Sequence, residues 1–321
     1  GNGNKGLCCL PYAHILGVSK CGTTDLYNRL ASHPYVLPSA NKGPHFWDDG
    51  KHSIQWYVNL YEKSAERLAS GDAPKDGILI DASSNTLTYT GVGVRSDRHK
   101  DAMPITLPHV LHWLQPSTKL LLMLREPGSR YYSAYRYYNK RYKIYERYGP
   151  NGPNAFGKMV LADVGAFSKC RLNEGNSARR CARMVYHEAE QLVKGMYSLF
   201  LEGWLDVFPA DQLLVVRLED YDAQLERHLD LVLKFLGLPP PPDRSTWRRM
   251  LSKPRANRQM KGEPMLESTR DVLRTFYAEF NEHLAELLGD KRYREWHEGL
   301  DNEVDAPMGV RREASVYGVV G

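Results

Sequence analysis

A lysine in the middle of a short polar turn is the first group in this chain that could do chemistry. The stretch HILGVSKCGTTDLYNRL, residues 14–30, runs from apolar residues through a turn rich in Gly, Ser and Thr into a helix-like pattern. Strand, turn and helix in that order expose backbone N–H groups beside the positive helix end, which suits a phosphate-like anion. Gly17 and Gly22 have the spacing of a Walker A loop, yet Thr23 stands where that loop needs its lysine, and Lys20 lies inside the turn instead. Lys20 is followed by Cys21, not by the hydroxyl that holds Mg²⁺ in nucleoside triphosphate sites, which argues against an ATPase or kinase. A second constellation is LREPGSRYYSAY: Arg125 ends an apolar run and Ser133 follows about two helical turns later. A forked cation and a hydroxyl at one sheet edge suit a phosphate monoester, although each taken singly reads as a surface ion pair and an ordinary helical serine.

These groups need a frame that brings a first turn and the end of a later strand to one edge. Apolar runs within 13–18, 77–84, 119–127 and 213–221 read as buried strands. Continuous apolar strands separated by helical stretches predict an α/β fold with a central parallel sheet covered on both faces. A helix is expected over 24–30, ending near His33 and Pro34, and Pro127 is placed to begin another. Residues 266–298 read as one or two amphipathic helices, and the proline-rich segment 238–247 as a connector too short to divide domains. One domain is expected over 10–300, with a linker-like start at 1–9 and a loose tail at 301–321.

Composition narrows the partners. The 321 residues are 42% hydrophobic and 25% charged, as in a folded chain, and the formal net charge of +5 suits an anionic ligand without requiring one. There is no run of 18 apolar residues and no basic-then-apolar leader, so no membrane contact is expected for this segment. The five cysteines match no paired zinc pattern, so no metal is expected. Cys170 and Cys181 bracket CRLNEGNSARRC and form either a short-loop disulfide, worth roughly 3 kcal/mol, or two free thiols. In RYYSAYRYYNKRYKIYERY, tyrosines interleave with Arg and Lys, a pattern able to stack on single-stranded nucleic acid. Tyrosines 131, 135, 138, 142 and 145 recur at helical spacing, however, and predict a buried face, so no nucleic-acid partner is expected.

Taken together, the motifs carry a family resemblance. GVSKCGTTDLY resembles the 5′-phosphosulfate loop of sulfotransferases, and LREPGSRYYSAY their 3′-phosphate motif, the two contacts of 3′-phosphoadenosine 5′-phosphosulfate (PAPS). KGPHFW, ASSNTLTY, the Cys170 to Cys181 segment, LLVVRLEDY and FYAEFNEHLAELLGD are similar to segments of the Golgi enzymes that sulfate glycosaminoglycans, and the likeness runs from about Leu10 to Trp296. The resemblance implies a P-loop-like sulfotransferase fold and transfer of a sulfuryl group from PAPS to a sugar hydroxyl of an anionic glycosaminoglycan, leaving the bisphosphate PAP. It makes the 6-O of 4-sulfated N-acetylgalactosamine in chondroitin or dermatan sulfate the first acceptor and heparan sulfate the second. It also implies residence in the Golgi lumen, with an N-terminal membrane anchor ahead of this segment in a type II protein.

Site roles follow from the same likeness. Lys20 would neutralise charge developing on the bridging oxygen, while Cys21, Gly22, Thr23, Thr24 and Asp25 line the phosphosulfate and Arg125 and Ser133 hold the 3′-phosphate. A late loop, KPRANRQMKGEP at 253–264, would close over the nucleotide through Lys261 and Gly262. Related enzymes carry their base in a segment reading Lys-Glu-x-His-aromatic-aromatic, and here Gly43 occupies the glutamate position. His45 is then the nearest base, or else a structural histidine beside Phe46 and Trp47. Restoring glutamate at position 43 is expected to raise the rate. A catalytically impaired, glycan-binding relative is the alternative. Arg95, Arg98, His99 and Lys100 either meet acceptor anions or form a solvated run.

Overall fold

The computed structural model describes residues 9–89, 106–173, 175–255 and 263–296. Five strands, β1 (Ala13–Gly17), β2 (Val36–Leu37), β3 (Ile78–Asp81), β4 (Lys119–Leu124) and β5 (Leu213–Arg217), form one parallel sheet in the order β2-β3-β1-β4-β5. Every residue of β1 is buried, and His14 is flanked in register by Asp81 of β3 and Leu120 of β4. The chain winds first to one side of β1 and then to the other, so a crevice opens at the carboxyl end of β1, between β3 and β4. Four of the strands coincide with the apolar runs. β2 was not anticipated: two residues are too few to show a period, and its shortness limits an otherwise open sheet edge.

Helix α1 (Thr23–Leu30) follows β1 directly, one residue earlier than its pattern suggested, and α2 (Phe46–Asp49) is a single turn. Helix α3 (Pro127–Tyr142) starts as its sequence requires: Pro127 needs no N–H partner, and the Glu126 carboxylate accepts from Gly128 N at 2.8 Å and Ser129 N at 2.5 Å. Its inner face is tyrosine-rich. Tyr131 and Tyr135 are fully buried against Phe156 of α4 (Pro153–Arg171), with ring centroids 5.0 and 5.2 Å apart. Tyr131 also donates a hydrogen bond to Asp163 of α4. The expected buried face ends there. Tyr138 is half-buried and Tyr142 is 56% exposed, because the last turns of α3 extend beyond the side chains that cover its first half; Tyr145, past the helix end, is half-buried and stacks on Tyr135 with centroids 5.6 Å apart.

Two apolar clusters make up the core. One surrounds the sheet and includes Ile15, Leu16 and Leu120–Leu124; the other gathers Tyr131, Tyr135, Phe156, Met159 and Leu192. Fully burying side chains of this size stabilises by about 1.5–3 kcal/mol each. Helix α7 (Glu267–Leu288) ties the clusters together, giving Leu273, Tyr277 and Phe280 to the second and Leu284 and Leu288 to the first. Beyond it, α8 (Arg292–Glu295) confirms a second helix in the amphipathic segment. Cys170, at the end of α4, and Cys181, in α5 (Ala178–Val185), form a disulfide with a Cα–Cα distance of 5.7 Å, which decides between the two alternatives left open by spacing. The expected tail at 301–321 lies outside the described residues.

Candidate functional site

The turn after β1 is built tightly. Val18 N donates to Met123 O of β4 at 2.9 Å, and Cys21 N returns to Val18 O at 3.1 Å. Gly22 opens α1 with a φ of 86°, a conformation that favours glycine, and a Cβ there would sit 2.6 Å from the end of the Leu218 side chain, which would have to move. No side chain caps α1, so the helix presents first-turn N–H groups of the kind that bind an anion. Lys20, Gly22, Thr23 and Thr24 line a cleft of about 1640 Å³ at the carboxyl edge of the sheet. Cys21 and Asp25, expected among the cofactor contacts, do not line it. Cys21 is fully buried with its Sγ 3.8 Å from Tyr197 Oη, and burial pushes the thiol up to about 11. The Asp25 carboxylate accepts from Arg29 at 2.6 Å and from Tyr221 Oη at 2.9 Å, while Arg29 also donates to Met250 O at 2.7 Å. Those contacts fix where α1 sits; its N-terminus then aims at the cleft.

Arg125 and Ser133 line the same cleft. Arg125 follows β4 directly, and its carbonyl accepts from Tyr197 Oη, on α6 (Tyr197–Leu205), at 2.8 Å. The next peptide N–H, of Glu126, donates to Glu219 Oε1 at 2.9 Å, so the strand-to-helix corner is held from two sides. Burial raises the Glu219 carboxyl above its ordinary value. The Lys20 ammonium lies 3.8 Å from the centroid of the Tyr137 ring on α3, a cation–π contact. Burial first, and then the nearby Arg125 charge, push Lys20 down to about 8.

His45, in the left-handed region at the start of α2, lines the same cleft. Its N–H donates to Ser83 Oγ at 2.9 Å; Ser83 Oγ donates to Asp81 at 2.6 Å, and Asp81 accepts from Tyr57 Oη at 2.7 Å. The ring Nδ1 is 2.8 Å from Asp48 Oδ2, which leaves Nε2 as the nitrogen not engaged by that carboxylate. The Asp48 hydrogen bond raises the imidazole pKa, with burial opposing. Gly43 runs flush along the end of β3: a Cβ there would lie 2.8 Å from Ala82 O and 3.3 Å from Ser83 Cα. A glutamate cannot enter this backbone as it stands, so the expected rescue by Gly43→Glu is corrected. The segment has been drawn tight against β3, with Ala82 N donating to Lys42 O at 3.0 Å.

Two further groups at the site were not singled out by sequence. Asp48 could have been, as a carboxylate three residues after a histidine at a helix start. Asn85 lines the cleft with its Oδ1 accepting from the buried Lys194 at 3.1 Å, a pairing across 109 residues that no local pattern reveals. Lys261, Gly262, Arg95, Arg98, His99 and Lys100 lie outside the described residues. Among the described residues, no cluster of His, Cys, Asp and Glu is arranged to hold a metal ion, and no helix is long and apolar enough to cross a membrane.

The cleft gathers a lysine, an uncapped helix N-terminus, an arginine and a helical serine, groups that suit an anion. Comparison with known proteins gives the family. Residues 11–305 match the sulfotransferase domain family. The chain is 32% identical to carbohydrate sulfotransferase 15 of Mus musculus, over 89% of this chain and 55% of that protein. It is 24% identical to bifunctional heparan sulfate N-deacetylase/N-sulfotransferase 4 of Mus musculus, over 87% of this chain and 30% of that one. The chain thus spans about half the length of the carbohydrate sulfotransferase it matches. A sulfotransferase structure from Alicyclobacillus acidocaldarius shares the fold with a TM-score of 0.55 at 22% identity, covering 89% of this chain and 99% of that one.

Proposed function

This chain belongs to the sulfotransferase domain family, and from that premise we propose that it moves a sulfuryl group from PAPS to a sugar hydroxyl of a glycosaminoglycan. The observation that carries the reading is the meeting of Lys20, Arg125, Ser133 and His45 on one cleft at the switch point of the sheet. The 6-O of 4-sulfated N-acetylgalactosamine in chondroitin or dermatan sulfate is the proposed acceptor. The similarity to carbohydrate sulfotransferase 15 supports it, and the weaker similarity to heparan sulfate N-sulfotransferases makes heparan sulfate the second choice. The Cys170–Cys181 disulfide supports an oxidising compartment, in keeping with the Golgi lumen. The domain is taken as residues 10–300.

When bound, PAPS supplies the sulfuryl group and its phosphate leaving group. The chain's own work is positioning and electrostatics. First-turn N–H groups of α1, with Thr23 and Thr24, hold the 5′-phosphate, and Arg125 and Ser133 the 3′-phosphate. The Lys20 ammonium offsets negative charge on the leaving oxygen, and its partial burial strengthens that interaction relative to open water. His45, its Nδ1 held by Asp48, takes the acceptor proton at Nε2. That pair replaces the carboxylate missing at Gly43 and favours an active enzyme over a merely glycan-binding relative.

Incubation with labelled PAPS and a panel of desulfated and sulfated glycosaminoglycans, followed by digestion to disaccharides, tests the reading. Label in a 4,6-disulfated N-acetylgalactosamine disaccharide is the expected result. No label in any acceptor, from protein that binds PAP, would overturn transfer.

A further inference from the structure

The second half of α3 outruns the core and leads away from the reactive lysine. Tyr137 is 38% exposed and Tyr142 56% exposed, although the same helix buries Tyr131 and Tyr135 completely. Tyr137 and Arg141, and Tyr138 and Tyr142, are each four residues apart and share a helix face. The rings connect: Tyr137 meets Tyr138 edge-on with centroids 5.2 Å apart, and Tyr138 stacks towards Tyr142 at 6.3 Å and 24°. The Arg141 guanidinium lies 5.5 Å from the Tyr142 centroid. At its inner end the strip touches Lys20 through Tyr137, and Tyr137, Tyr138 and Tyr142 all line the cleft mouth. Residues 136–145, RYYNKRYKIY, contain Arg136, Lys140, Arg141 and Lys143; the nearest following carboxylate, Glu146, lies 3.9 Å from the Lys143 ammonium in an exposed pair.

We propose that this strip, Tyr137, Tyr138, Arg141 and Tyr142 with Lys140 and Lys143 beside it, is the docking track along which the anionic polysaccharide leaves the transfer site. The inference rests on the glycosaminoglycan reading above and extends it to a surface. A sulfated polysaccharide repeats flat, C–H-bearing ring faces and closely spaced sulfates and carboxylates. The strip repeats the complementary pair, aromatic faces and cations, over about 9 Å of helix. Each exposed ion pair contributes little and is screened by salt, so holding depends on several contacts in series and favours long chains over short ones. The aromatic rings supply what a purely basic patch lacks, contact with the sugar itself. They also account for two large tyrosines left in solvent immediately beside a substrate cleft.

The experiment compares the unaltered protein with Arg141→Glu/Lys143→Glu and, separately, Tyr142→Ala. Equilibrium binding of polymeric chondroitin sulfate is measured with PAP present, at low and physiological salt, and calorimetry of PAP serves as the control for folding. The charge variant is expected to bind the polymer about tenfold more weakly, with a shallower salt dependence, and Tyr142→Ala several-fold more weakly, both with PAP affinity unchanged. Polymer binding that neither variant alters would overturn the track even if sulfuryl transfer is observed. Conversely, loss of polymer binding in the variants of a protein that transfers no sulfate would uphold the track and reject only the activity. Single-stranded DNA of matching charge, bound as tightly as the polymer and indifferent to Tyr142→Ala, would mark the strip as a general polyanion surface and overturn the proposal.

Discussion

Nδ1 of His45 and Oδ2 of Asp48 are 2.8 Å apart across one turn of α2, and His45 lines the cleft that Lys20 also lines. The carboxylate fixes which ring nitrogen carries its proton towards the protein and raises the imidazole above its ordinary pKa. A base must be neutral to act. The rate should therefore rise with pH through a limb above ~6.5, the unperturbed imidazole value. His45→Ala should lower transfer by ~10²–10⁴-fold, and Asp48→Asn should move the limb downwards in kcat/KM against pH. A limb that stays put in Asp48→Asn sinks the pairing. The same pair stabilises the fold fully below the unfolded pKa, and that stability is lost as pH rises through the higher folded one.

Gly43 gives a sharper test because its environment forbids what family likeness invites. With a Cβ 2.8 Å from Ala82 O, Gly43→Ala should lower stability by ~1–3 kcal/mol, the scale of overpacking, and Gly43→Glu should slow transfer instead of accelerating it. Thermal unfolding together with initial rates checks both. A faster Gly43→Glu enzyme of unchanged melting temperature would show that the segment relaxes freely.

Lys20→Ala should reduce turnover by ~10²-fold or more while the protein still unfolds cooperatively at its usual temperature. Lys20 works as a cation, and burial beside Arg125 brings its pKa to about 8. Activity should accordingly fall on the alkaline side near that pH, giving a bell with the His45 limb. Lys20→Arg, charged at every accessible pH, should lose that alkaline limb even if its rate is low. Persistence of the limb in Lys20→Arg assigns it to another group.

Arg125, just before α3, and Ser133, in the second turn of α3, open on the same cleft. Calorimetry should find 3′,5′-adenosine bisphosphate bound at least tenfold more tightly than 5′-AMP, a difference of the size expected for a charge-assisted pair. Arg125→Ala should remove most of the preference. Equal affinities in the unaltered protein would reject a 3′-phosphate site.

Much of this molecule is legible in local pattern. The runs that became β1, β3, β4 and β5 are mostly apolar because a parallel sheet is covered on both faces, and the lysine-bearing turn and the Arg125 corner follow from residues within a few positions of one another. Such features need no knowledge of distant neighbours. What the tertiary structure decided depends on contacts across the chain. Cys21 and Asp25 belong to the turn in sequence, yet Tyr197, Tyr221 and Arg29 draw their side chains into the interior. Gly43 looked like a lost carboxylate; the backbone of Ala82 shows it as a place where none fits. The tyrosines of α3 share one helical period, and only the extent of the neighbouring cluster determines that Tyr135 is core while Tyr142 faces solvent. Periodicity states which residues share a face; burial depends on how far the opposing surface reaches, and that is a property of the whole fold.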